Sequence, residues 1–454
     1  MTGGDGTTNF TYVPVGSPGA LERQSEIGPG GTPNTLVDAY DALGRVANQT
    51  VAGQPESFAY DGIGRITADR NALGGFTQSY FGETGQLTNQ TLAGSNLSAT
   101  YSYEPNTGDR RLKSILHNVL HLAYTTDDEN NVLTQTGTRV DDAYVYDAAN
   151  RLVKVKRPHR CDDDGSDHSG WGGSSRDCDR DQGQQSSSQS QSSVIGGGRR
   201  FARSTVRQSG STVRQTEDGR GGRRSAHAAY TYDASDNLLV ATGAGAFTAK
   251  ATNANQLTQV TNKGVTATWT YDKDGNLLAD GTRAYTWDAE NRLLSVTLNA
   301  TKQTSTFAYD PLGLRVAITD NGTTTRYRWC GGRICAAHNT AGAITARYFP
   351  QGEIDGTASR YYATDRLGSV RALMDNAGRT KGTAVYGAYG RTTITGEAPT
   401  FAYAGMFYHK ASGLYLTRYR AYNPDAGRWI SRDPIGEIAG MNLYAYAGDN
   451  PASF

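Results

Sequence analysis

The chain has 454 residues, enough for two or three ordinary domains or one long repeat array. Only 37% of the residues are hydrophobic while 55 are glycine and 27 are tyrosine, a composition poor in core material and rich in turns. Lys and Arg total 45 against 44 Asp and Glu, and the net charge of +1 excludes a whole-molecule field that would steer the protein to nucleic acid or membrane.

Residues 1–35 form an N-terminal extension with no basic start leading into an apolar stretch, and nowhere do 18 apolar residues follow one another. The sequence therefore predicts no signal peptide and no membrane span. From 36 to 155 one unit keeps returning, as in Tyr40-Asp41-Ala42-Leu43-Gly44-Arg45-Val46 and Tyr60-Asp61-Gly62-Ile63-Gly64-Arg65-Ile66. Its aromatic falls at Tyr40, Tyr60, Tyr80, Tyr103, Tyr124 and Tyr146, and over 228–355 at Tyr232, Tyr271, Trp287, Tyr309 and Tyr327. Asn253-Ala254-Asn255-Gln256-Leu257 stands where a unit is missed between Tyr232 and Tyr271. A spacing of this length marks a repeat architecture and outranks local secondary-structure signals.

Each unit has room for two short strands and their turns. Before the aromatic the chain alternates, as in Thr266-Ala267-Thr268-Trp269-Thr270-Tyr271, the period-two pattern of a half-exposed strand. The following Asp can accept hydrogen bonds from the amides of the turn, and the Gly or Asn beyond it tolerates positive φ. The Tyr ring is expected on the neighbouring strand with its hydroxyl at a wet edge. Lone hairpins are unstable, so successive units must pair edge to edge into a long, twisting sheet. With little apolar material for two packed faces, the expectation is a spiral wall around a polar space.

Between 156 and 227 the repeat vanishes. Cys161 to Asp181 holds seven Asp against two Arg, and a Gln/Ser-rich stretch follows. The segment reads as a low-complexity, disordered insertion or a locally altered reading frame. Cys161, His168 and Cys178 with His159 match no tight zinc spacing. The run from Asp162 has Asp167 at the sixth position, where a calcium loop of the EF-hand type requires Gly. The Gly219-Arg220-Gly221-Gly222-Arg223-Arg224 stretch has only Phe201 nearby to stack on bases, so it reads as solvated charge. Asp272-Lys273-Asp274-Gly275-Asn276 looks like a cation loop but sits at a repeat turn. Cys330 and Cys335 flank a reversal and could bridge or ligate with His338; free thiols are the favoured reading. Four cysteines are too few for a disulfide scaffold. No phosphate loop or nucleophile elbow appears, and neither metal nor cofactor is expected.

These tandem units resemble the YD repeats of the Rhs/YD family, found in bacterial polymorphic toxins, in the C subunits of Tc insecticidal toxins and in animal teneurins. The block 356–454 is more specific: RYYATDRLGSVRALMDNAGRTKGTAVYGAYGR from Arg360 and GLYLTRYRAYNPDAGRWISRDPIGEIAGMNLYAYAGDNP from Gly413 are similar to the Rhs repeat-associated core module. The resemblance implies an all-β fold in which tandem hairpins form a spiralling shell, open or partial, that sequesters a C-terminal toxin or effector. It also implies a core module at the C-terminal end that cuts the chain at a second DPxGL copy by an aspartic-protease-like reaction. Arg428 and Asp433 fall on the positions of the conserved Arg and the first catalytic Asp. The second Asp would lie past Phe454, and a dyad needs two carboxylates sharing a proton. Self-cleavage is therefore not expected, and nothing in their spacing recommends Asp449 or Asp425 as substitutes. Asp433 can equally be a turn residue ahead of Pro434 and Gly436, and Arg428 the partner of an acidic neighbour.

The function implied is a shell that carries a toxin or effector, here a fragment or orphan without cargo, and exported as part of a toxin system. Its partners would be that polypeptide or a second shell subunit, and a secretion apparatus, with no nucleic acid. The alternatives are an aspartic autoprotease and an extracellular adhesion or glycan-binding shell.

Overall fold

The structure is a computed structural model describing residues 9–27, 33–157, 226–243, 246–262 and 264–453, with the backbone of 2–3 and 6–7. The readings placed on Cys161, His168, Cys178, His159, Asp162 to Asp167 and Gly219 to Arg224 lie outside the described residues.

The repeat is a hairpin unit whose every signature residue has a bond to make. In the unit at Tyr60, the strand Gln54–Tyr60 turns into Ile66–Asn71. Asp61 Oδ1 accepts the amides of Ile63 at 3.1 Å and Arg65 at 2.9 Å, while Oδ2 accepts Arg65 Nε at 2.6 Å. Gly64 has φ +93°, the left-handed conformation that closes the turn, and the ladder slips by one residue between Ala59 and Tyr60. This is a four-residue turn with a bulge, which fixes register and adds twist. The same arrangement recurs with Asn at the left-handed position, φ +58° at Asn150 and +61° at Asn291. In the unit without a tyrosine, Thr252 replaces the Asp: its hydroxyl accepts the amides of Ala254 and Gln256, and Asn255 has φ +60°.

The tyrosine joins one unit to the one before it. Tyr60 Oη donates to the carbonyl of Val46 at 2.8 Å, Tyr80 to Ile66 at 2.7 Å, Tyr146 to Val132 at 2.8 Å and Tyr309 to Leu293 at 2.9 Å. Trp287 and Trp329 substitute their indole N–H for the phenol, reaching Leu277 and Arg315 at 2.8 Å. On these half-buried tyrosines the hydroxyl is spent on a backbone carbonyl of the preceding unit. The arginine after the turn completes the clip by lying over the next ring, 4.4 Å from Arg45 to Tyr60 and 4.7 Å from Arg65 to Tyr80.

Clipped in this way, consecutive strands pair antiparallel in chain order from Asn9–Tyr12 to Val265–Thr268. The ladder runs straight from Leu152–Arg157 into Ala226–Tyr232, with Lys154 opposite Ala229. After Trp269 a second sheet of 14 strands begins at Thr270–Tyr271 and ends at Thr392–Gly396. Four short strands from Phe407–His409 to Arg428–Trp429 form a terminal sheet. Among the described residues there is no α-helix, only short 3-10 turns, and no helix long and apolar enough to cross a membrane.

The interior is mixed, with apolar clusters beside buried polar side chains. Leu122, Leu152 and Ile115 of the first sheet pack in one cluster with Phe349, Ala363 and Met374 of the second. Leu257 and Leu277 pack with Leu414, Leu416 and Ile430 of the terminal block. Strict alternation lets each strand give its apolar half to one face, so a low apolar fraction still supplies the clusters that join the sheets, beside buried polar side chains such as Glu56, Asp69 and Gln351. Cys330 and Cys335 form a disulfide, with Cα atoms 5.7 Å apart, rather than two free thiols. Cys330 pairs with Arg333 across the Gly331-Gly332 turn, and Cys335 follows two residues later at the bulge, which brings both side chains to one place.

Candidate functional site

The two residues singled out by family resemblance are placed in different surroundings. Asp433 ends a stretch in which its backbone N–H reaches the Leu443 carbonyl at 3.0 Å. Its Oδ2 is paired with Arg420 at 2.9 Å, its Oδ1 accepts the Ile435 amide at 3.2 Å, and its carbonyl accepts Gly436 N–H at 3.0 Å. This is a turn ahead of Pro434, and among the described residues no second carboxylate is bonded to it. Arg420 is itself held over the Trp429 ring at 4.1 Å.

Arg428 is buried, 5% exposed, on the short strand Arg428–Trp429. One terminal nitrogen donates to the Asn255 carbonyl at 2.6 Å, the guanidinium lies 5.0 Å over Tyr444, and Nε has no hydrogen-bond partner. Among the described residues no carboxylate lies within ion-pair distance, and acidic neighbours act on it through the field. Burial pulls the Arg428 pKa down, opposed by the phenols of Tyr271 and Tyr444 and by the carboxylates of Asp449 and Asp233.

Asp449 is the residue that sequence reasoning passed over. Its side chain is 2% exposed, its Oδ2 has no partner, and its backbone is left-handed at φ +59°. Burial, with the nearby charge of Asp236, pushes its pKa up to about 7, against the opposing pull of Arg428. An exposed-looking Gly-Asp-Asn-Pro turn gave no signal of this, because the residues that bury it are far away in sequence. The pH dependence follows from the sign of the shift. Below the ordinary value of 3.8 both folded and unfolded states hold the proton; between 3.8 and about 7 only the folded state holds it, so stability falls as pH rises; above 7 the full penalty is present. Asp449→Asn is therefore expected to match the parent at pH 3.8 and to be the more stable protein at pH 8 by urea unfolding. A difference that does not change with pH would contradict this.

The terminal block is fastened across a row of repeat turns. Tyr444 Oη donates to the Gly275 carbonyl at 2.7 Å, and a side chain at Gly275, φ +88°, would meet that oxygen at 2.5 Å. Asn442 donates to the carbonyls of Ser235 and Asp236, Asn450 donates to Asn131 at 2.6 Å, and the Val132 amide donates to Ser453 Oγ at 2.8 Å. Under this block the repeats carry Asn where exposed repeats carry Arg: Asn131, Asn237 and Asn276 bond back to the turn Asp and onward to Asn150, Asn255 and Asn291. An amide can be buried when all its bonds are made, whereas an arginine there would lose its water. Mechanically, this arrangement locks the chain end onto both sheets.

The profile of the Teneurin YD-shell family matches residues 210–452. The tRNA3(Ser)-specific nuclease WapA of Bacillus spizizenii is 32% identical over 245 residues, 49% of this chain and 10% of that protein. The Double-stranded DNA deaminase toxin A of Burkholderia cenocepacia is 29% identical over 231 residues, 40% of this chain and 16% of that one. The crystal structure of TcdB2-TccC3 shares the fold, with a TM-score of 0.66 at 18% identity, over 99% of this chain and 25% of that chain. The chain thus spans a small part of the relatives it matches. With a profile that covers more than half of it, the chain belongs to the Teneurin YD-shell family.

Proposed function

We propose that this chain is the shell part of a toxin carrier, enclosing or holding a C-terminal toxin or effector polypeptide and exported with it as part of a toxin system. The observation that carries the reading is the clipped ladder itself, fastened at its end by the terminal block through Asn442, Tyr444 and Asn450. Such a device resists opening at every repeat, and Asp433 is engaged by Arg420, with no second carboxylate bonded to it among the described residues. The parts shared with relatives named as nuclease and deaminase toxin are 10% and 16% of those proteins, consistent with a common carrier segment joined to different activities.

The test is protease protection. A reporter polypeptide containing a protease site is fused after Phe454 and digested beside the same reporter alone. Survival at least about tenfold longer in the fusion supports enclosure. Equal digestion rates would reject it.

A further inference from the structure

A cavity of about 750 Å³ lies between the second sheet and the terminal block, beside Asp433. Trp287, Phe307, Tyr309 and Leu416 give it apolar walls. Five arginines line it, Arg292, Arg315, Arg418, Arg420 and Arg432, against the carboxylates of Asp274, Glu290 and Asp433. Two of those acids are taken: Asp433 by Arg420 at 2.9 Å and Glu290 by Arg292 at 3.2 Å. Asp274 is exposed.

Arg315 is the anomaly. It is 3% exposed, and among the described residues it has no carboxylate within ion-pair distance. Phe407 covers one face of the guanidinium at 5.7 Å, and Nη1 donates to the Thr417 carbonyl at 3.3 Å. Nε and Nη2 have no hydrogen-bond partner, nor has Nε of Arg418. Burial pulls the Arg315 pKa down, with the phenols of Tyr309 and Tyr327 opposing. A buried cation whose face is packed while Nε and Nη2 lack a hydrogen-bond partner is costly to fold, and an oxyanion in the cavity would complete it. The edge of a guanidinium matches two oxygens of a carboxylate or phosphate.

We propose that this cavity is an oxyanion site in which Arg315 and Arg418 hold a carboxylate of an acidic peptide or a phosphate, with the aromatic wall seating the atoms that carry it. The site stands apart from the carrier reading and does not depend on it. The same unpaired charge makes the empty site a stability cost, a trade commonly found at binding sites.

The test uses the whole chain, with inorganic phosphate and an acetylated tetraglutamate peptide as separate probes, read by thermal unfolding and by the fluorescence of the tryptophan-lined cavity. A saturable rise in Tm with either probe, absent with sodium chloride at equal ionic strength, is the expected result, and the probe that works identifies the source of the oxyanion. Arg315→Met should raise the Tm of the empty protein and abolish the response. Arg418→Gln, at a partly exposed position, should fold normally and weaken binding about tenfold. No response to either probe, or a response that survives Arg315→Met, would overturn the proposal.

Discussion

Tyr422→Ala is expected to lower the unfolding free energy by about 3–5 kcal/mol, read from urea denaturation. Tyr422 has no solvent exposure and sits where the terminal block's aromatic side chains converge. Its ring lies 4.5 Å from Tyr446, 5.5 Å from Trp429 and 6.3 Å from Tyr415, and its hydroxyl donates to the Tyr389 carbonyl at 2.9 Å. Truncation removes the apolar burial, the ring contacts and that hydrogen bond together, and the surrounding rings are too rigid to close the gap. Tyr422→Phe should lose only the hydrogen bond, about 1 kcal/mol. If the alanine variant lost no more than the phenylalanine variant, the terminal block would not be packed as described.

Arg283→Met should cost a similar amount, about 3–5 kcal/mol, for an electrostatic reason. Arg283 is buried between Asp280, at 3.1 Å, and Asp425 of the terminal block, at 2.9 Å, and Asp280 also accepts the Tyr285 hydroxyl at 2.7 Å. Despite burial, these neighbours hold the guanidinium firmly charged. Removing it strands the Asp280 carboxylate, whose side chain is 2% exposed, without a cation. Arg391 pairs with the same Asp425 at 3.1 Å, but both side chains are well exposed, 31% and 46%. Arg391→Met should therefore cost less than about 1 kcal/mol. Equal losses from the two variants, again by urea unfolding, would show that burial does not set the difference.

The repeats could be read in the sequence because their causes are local. The Asp, the left-handed Gly or Asn and the Arg of one unit bond within five residues of each other, as Asp61 does with Ile63 and Arg65, so the hairpin and its register are written in a short window. What joins the hairpins was only partly visible. The tyrosine hydroxyl reaches a carbonyl 14 residues back, Tyr60 to Val46, and nothing at that carbonyl's position announces the bond. The choice between Arg and Asn after the turn was legible as a pattern but not as a cause. It follows what lies above each turn, and Asn442 and Asn450, which cover Asn237 and Asn131, are more than 200 residues away.

The candidate site was the least legible part, for the same reason. Family resemblance pointed to Arg428 and Asp433, five residues apart, yet a strand end and a turn send them to different partners, Asn255 and Arg420. The buried carboxylate near Arg428 is Asp449, and the incompletely bonded guanidinium that lines a cavity with Asp433 is Arg315. Burial by remote strands creates both, and no spacing rule encodes it. The Cys330–Cys335 disulfide depended on a bulge that periodicity does not reveal.

The central claim is that clipped hairpins pair in chain order within each sheet, and amide hydrogen exchange measured strand by strand tests it most directly. The account predicts comparable protection in Gln54–Tyr60, Ile66–Asn71, Leu152–Arg157, Ala226–Tyr232 and Thr304–Tyr309, including the amides that join Val155 to Ala228 across the join of two distant stretches of sequence. Rapid exchange in Leu152–Arg157 and Ala226–Tyr232, with protection confined to isolated hairpins on either side, would contradict it.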